Sequence, residues 1–151
     1  MFKLDSRLEA DTFEVCEHLD CKILVMNNST VPWFIVMPFT DRTELYQLDD
    51  SVQYNVNKII NKLSEFIIEE YKVDKLNVAT LGNVVSQMHL HVVGRYENDP
   101  AWPAPVWGNI DSKPYTEQEK ITYLRKLEKY SRYYEFPDKL LRYKEPFQIS
   151  V

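Results

Sequence analysis

Glycine and cysteine are scarce in this chain of 151 residues, with three of the first and two of the second. So few glycines leave no Gly/Ser linker, and neither a fixed-period repeat nor a low-complexity tract marks a domain boundary. Two cysteines, Cys16 and Cys21, are too few for the disulfide framework of a small secreted protein. With His18 between them they put three soft-metal ligands close together, yet the spacing matches no structural zinc signature; reduced thiols beside a turn, and no metal, are expected. Long apolar runs are missing too. Ile23 to Met26 and Phe34 to Met37 fall far short of the roughly 20 residues that cross a bilayer. Lys3, Asp5, Arg7 and Glu9 interrupt the first residues in a way no secretory signal does, so the expected location is cytoplasmic, with no membrane partner. Positive charge is also in deficit. A formal net charge of -5 argues against nucleic acid as a partner, because a surface for its backbone needs a basic excess to displace condensed counterions. A local basic pocket for one small phosphate ligand stays compatible with that charge.

What is present describes one globular unit. Apolar residues make up 44% and charged residues 27%, so a chain of this length can bury a single core, and one domain over residues 1–151 is expected. Phe13 to Glu17 alternates apolar and polar side chains, and Lys22 to Met26 follows after a short break, which predicts an antiparallel hairpin. Trp33 to Met37 predicts a third strand, closed by Pro38. Between Asp49 and Tyr71 the period changes: Val52, Val56, Ile59, Ile60, Leu63 and Ile67 fall on one helical face, with Asp49 or Asp50 as the cap. Lys75 to Ala79 and Met88 to Arg95 predict two more strands, separated by a turn at Gly82-Asn83. After a proline-rich stretch, Thr116 and Glu119 form a capping box that opens a second helix to about Tyr134, in a C-terminal extension over about 116–143. Five strands and two main helices without strict alternation predict an α+β domain on a mainly antiparallel sheet.

The informative run is Ser86-Gln87-Met88-His89-Leu90-His91-Val92-Val93. In a strand, Gln87, His89 and His91 project to one face and Met88, Leu90 and Val92 to the other. Two of the chain's three histidines thus share a polar row, and imidazole is the side chain best suited to proton transfer or nucleophilic attack near neutral pH. Alone, such a pair is equally a satisfied surface pair, or two ligands of a metal completed by His18 or a cysteine.

With its context the run resembles the histidine-triad superfamily, whose signature is His-x-His-x-His and two apolar residues after a Gly-containing turn and an upstream Asn. The matching residues are Asn77, Gly82, Asn83, Val85, Gln87, His89, His91, Val92 and Val93. Met26-Asn27-Asn28 before Trp33 to Pro38 is similar to the family's nucleoside-binding turn and following strand, and Asp99 to Gly108 resembles the tail of a bacterial branch, for a coverage of about 13–108. The resemblance implies a HIT-like five-stranded antiparallel sheet with two helices, assembled as a homodimer, that binds purine nucleotides. It further implies attack on an α-phosphate by the middle histidine, here His89, through a nucleotidyl-histidine intermediate. His91 would donate to the phosphate, as would the amides at Gly82, Asn83 and Val84. Asn77 would position phosphate or nucleophile, and Asn27 and Asn28 would meet the ribose.

Three departures bear on activity. The segment between Gly82 and Gln87 has Asn83 and Val84 in place of the family's usual Gln-Ser pair, which removes a hydroxyl that could contact phosphate. The first triad position holds Gln87, which can orient a phosphate but cannot supply a proton, and the ribose turn offers amides where the family often has an acid. The expected function is hydrolysis or nucleotidyl transfer on a dinucleoside polyphosphate or nucleoside phosphoramidate. The alternative is a catalytically weak nucleotide sensor or interaction module. No cofactor is required at the nucleophile, although a divalent cation could accompany a polyphosphate. Trp102 and Trp107 are expected to pack on their own sheet or a partner subunit rather than to stack on a base. Tyr130, Tyr133, Tyr134 and Tyr143 are read as packing or dimer contacts.

Overall fold

The computed structural model describes residues 1–134 and 139–140. Its elements run α1 (Ser6–Asp11), β1 (Thr12–His18), β2 (Cys21–Met26), β3 (Trp33–Pro38), α2 (Asp50–Tyr71), β4 (Lys75–Ala79), β5 (Leu90–Arg95), α3 (Glu117–Tyr134) and a two-residue β6 (Lys139–Leu140). The five main strands and the short sixth make one antiparallel sheet in the order β4-β5-β3-β2-β1-β6. The α+β expectation holds, with α1 and β6 added to it. The part of the C-terminal extension beyond Leu140, Tyr143 included, lies outside the described residues.

The first hairpin turns through Leu19 and Asp20, both at positive φ (47° and 57°), the two-residue geometry whose twist matches the flanking strands. A bulge between Glu14 and Cys16 breaks the alternation read from the sequence, so Val15 and Cys16 are buried side by side. Asp49 caps α2 as expected in position but not in manner: its carbonyl takes the amides of Val52 and Gln53, while its carboxylate makes no capping bond. At α3 the capping box closes both ways, Thr116 N donating to Glu119 Oε1 and Glu119 N to Thr116 Oγ1, each at 3.1 Å.

The sheet is buried on both faces. On one, Val56, Ile59, Ile60, Leu63, Phe66 and Ile67 of α2 pack with Phe34, Val36, Leu90 and Val92, and Tyr123 and Leu127 of α3 complete the layer. Each such side chain removed from water contributes about 1.5–3 kcal/mol. Here α2 comes so close to β5 that a Cβ on Gly94 would lie 2.7 Å from Ile67, Pro32 and Val73, so only glycine fits. On the other face Leu24, Ile35, Met37 and Val93 are covered by Leu8 of α1, by Phe2 and Leu4 of the N-terminal arm, and by Val106. The histidine row lies on this second face.

Candidate active site

Strand β5 starts at Leu90, so His91 is fixed by the ladder, paired with Ile35 and Ala79, while His89 precedes it. Both rings are buried, 4% and 7% exposed, with centroids 5.0 Å apart. Trp33 Nε1 donates to His91 Nδ1 at 2.9 Å. An indole N–H can only donate, so Nδ1 holds the lone pair. Burial, with His89 adding to it, pulls the His91 pKa down to about 3; the ring is neutral at pH 7 and its single proton sits on Nε2.

His89 is set the other way round. Its Nδ1 lies 2.6 Å from the Gln87 main-chain oxygen, which can only accept, so Nδ1 carries a proton and Nε2 holds the lone pair of the neutral ring. Thr80 Oγ1 donates to the His89 carbonyl at 2.9 Å and ties this residue back to the end of β4. One ring therefore presents a basic nitrogen and its neighbour an N–H donor. Such a pair can attack an electrophilic centre while holding an anionic oxygen beside it.

An aromatic wall continues the row. Trp107 stands 5.1 Å from His91 and 6.0 Å from Trp33, edge to face with both, and its indole N–H is buried without a hydrogen-bond partner among the described residues. Trp33, Trp107, Asp11, Met26 and Asn27 help to line an open cavity of about 510 Å³. Trp107 thus packs on its own sheet, as expected, and also faces this cavity. Trp102 lies 5.6 Å from the Arg95 guanidinium, a packing role.

The asparagines expected at the ribose also line this cavity, and their amides take part in holding the turn. Asn28 donates to Asp111 O and accepts from Thr30 N, and Asn27 Oδ1 accepts from Tyr115 N. Asn77 Oδ1 takes a hydrogen bond from Arg95 Nη1 at 2.9 Å, so its oxygen aligns the buried Arg95. Gly82, Asn83 and Val84 are exposed in the loop before the histidines, with Gly82 at φ +66°.

Gln87 departs most from the sequence reading. It lies before β5 begins, and its side chain is spent on the N-terminal arm: Oε1 accepts from Asp5 N and Nε2 donates to Lys3 O, both at 2.8 Å. Three residues that sequence reasoning passed over belong to the site. Trp33 was legible only as a strand residue, Thr80 only as a loop residue, and Asp11 comes to the cavity because Asn27 N donates to its carbonyl across 16 positions of sequence.

Away from these residues, Cys16 and Cys21 are free and buried, burial holding the Cys21 thiol up at about 12 and raising Cys16 further. Among the described residues no group of three or more His, Cys, Asp or Glu comes together as a metal site, and no helix is long and apolar enough to cross a membrane.

The HIT domain family matches residues 7–98. Among solved structures, a histidine triad protein from Marinobacter aquaeolei is 42% identical, with 88% of this chain and 98% of that one covered at a TM-score of 0.83. Histidine triad proteins from Bradyrhizobium japonicum and Sinorhizobium meliloti are 34% and 33% identical, each alignment covering 85% of this chain and 96% of the other, with TM-scores of 0.81 and 0.82. No curated protein matches the chain. On the extent of the family match and on these identities, the chain belongs to the histidine-triad, or HIT, domain family.

Proposed function

We propose that this nucleotide-binding HIT protein hydrolyses or transfers a nucleotide at its α-phosphate, with His89 Nε2 as the nucleophile. The observation that carries the reading is the opposed protonation of the two rings: a lone pair on His89 Nε2 and a proton on His91 Nε2, 5.0 Å between centroids. Attack by His89 forms an Nε2–P bond, the bond from phosphorus to the leaving group breaks, and the electron pair departs with that group. The positive charge left on the ring is stabilised by the hydrogen bond from Nδ1–H to the Gln87 carbonyl. His91 Nε2–H holds a non-bridging oxygen. Water then takes the phosphorus from Nε2, its spare proton passing to solvent.

The purine nucleoside takes the cavity beside Trp33 and Trp107, where the two indole rings supply an aromatic surface and Asp11 the carboxylate that the asparagine turn lacks. Dinucleoside polyphosphates and nucleoside phosphoramidates both present the required α-phosphate. No cofactor is needed at the nucleophile, and a divalent cation would act on a polyphosphate tail. The protein works as a homodimer.

The test is release of nucleoside monophosphate from a panel of adenosine and guanosine substrates, wild type beside His89→Ala. Release should fall by at least about 10³-fold in the variant while nucleotide affinity stays within a few-fold. An active His89→Ala protein would remove the mechanism. The second reading, a nucleotide sensor with little turnover, is favoured by the engagement of both ends of the Gln87 amide, which leaves no acid at the first triad position. Tight nucleotide binding to wild type without product would select it.

A further inference from the structure

Gln87 is bound to residues more than 80 positions away, and the consequence is a second cavity. The two 2.8 Å hydrogen bonds to Asp5 N and Lys3 O fasten the arm across the histidine face, where Phe2 and Leu4 pack against the sheet. Between this arm and residues 40–43 lies an open cavity of about 500 Å³ whose lining includes Lys3, Asp5, Thr40, Arg42, Ser86 and Gln87. Its walls are hydroxyls and charges of both signs, and no aromatic residue lines it. Gln87 joins this cavity to His89 through its own carbonyl, and Trp107 joins the aromatic cavity to His91.

Resting on the α-phosphate reading above, we infer that Gln87 is a positioning residue which builds, with the arm, the subsite for the leaving group. The group it takes is a small hydrophilic phosphate ester, not an amine and not a second nucleoside. Three observations carry this. A second nucleobase would want an aromatic surface, and the lining has none. An amine must be protonated as it leaves, and the side chain at the first triad position is an amide already committed to main chain. A phosphate ester leaves as a stable anion without a proton; Lys3 and the hydroxyls of Thr40 and Ser86 meet its charge and its polar remainder, and Arg42, 3.9 Å from the Asp41 carboxylate that also lines the cavity, has to exchange that pairing for the phosphate. In that step the His89 Nε2–Pα bond forms and the bond from Pα to the bridging oxygen breaks. The electron pair stays on the departing phosphate.

Three probes decide it: adenosine 5′-diphosphoglucose, diadenosine tetraphosphate and adenosine 5′-phosphoramidate, each read by AMP release and by mass detection of nucleotidylated His89. The diphosphoglucose should have the highest kcat/KM, by tenfold or more. Lys3→Ala with Arg42→Ala should raise its KM about tenfold with kcat nearly kept. Gln87→Ala should raise KM and speed hydrogen exchange at the Asp5 amide, and Gln87→Glu, which keeps the acceptor, should recover part of both. If His89 is nucleotidylated but the phosphoramidate or the dinucleoside is preferred, or KM ignores Lys3 and Arg42, the subsite is overturned and the nucleophile stands. Absence of the adduct with all three probes overturns both.

Discussion

The chemistry of a single imidazole depends on what its other nitrogen touches, and here Trp33 decides for His91. Its N–H occupies Nδ1, and burial with the neighbouring His89 holds the ring neutral with a pKa near 3. The linkage has a definite sign. A histidine that resists protonation when folded but titrates near 6.5 when unfolded gives stability that is complete above about pH 6.5, and is lost as pH falls toward 3 at up to about 1.4 kcal/mol per pH unit. Nitrogen NMR should therefore find His91 as the Nε2–H tautomer with no titration between pH 5 and 8, and urea unfolding should show the acid-side loss. Trp33→Phe removes the donor and should mix the tautomers while cutting kcat by about 10–100-fold. A His91 that titrates near 6.5 in wild type would refute the assignment. The sequence made the His89 and His91 row legible because period two needs no knowledge of neighbours. It hid Trp33, which reads as one more apolar residue in a buried strand until the sheet sets β3 beside β5.

Elements show the same division. Strands β2, β3 and β4 and both long helices were legible because each carries its own period and punctuation. The late start of β5 was not, since Met88 and His89 continue the alternation while the ladder has not yet begun. Nor was the role of Asn77, which depends on Arg95. That guanidinium, 1% exposed, is held by Asp99 through two bonds of 2.8 and 2.9 Å and by Asn77 and Ala104, so one cation joins β4, β5 and the loop that carries Trp107. Burial alone would raise the Asp99 carboxyl, but Arg95 and the amides of Tyr96 and Ala101 overcome it and hold it below its ordinary value. Its contribution is thus present above about pH 4 and lost as pH falls. Asp99→Ala leaves Arg95 buried and unpaired, and should cost about 3–5 kcal/mol in chemical unfolding. A loss under about 1 kcal/mol would mean that solvent reaches Arg95.

At the scale of the whole molecule, the sheet ends in two unlike edges. On one side β1 is covered by β6. On the other, β4 ends the sheet among the described residues, with Val78 49% exposed, and the loop after it adds Leu81 and Val84, 45% and 75% exposed. An open strand beside an apolar patch is a template for pairing, and natural proteins cover such edges or charge them. Val78 projects to the α2 face, where Ile68 is also half exposed. A twofold axis beside β4 would extend the sheet into a second copy and bury these side chains against their own equivalents. Sedimentation equilibrium should accordingly give twice the chain mass at micromolar concentration. Val78→Lys sets like charges together across that axis and should shift the protein to monomer while leaving its far-UV circular dichroism unchanged. Monomeric wild type would rule the dimer out, and a Val78→Lys protein that stays dimeric would move the interface away from β4. Because His89 and His91 lie on the opposite face of the same sheet, a monomeric Val78→Lys variant that keeps its His89 chemistry would show that each chain holds a complete site.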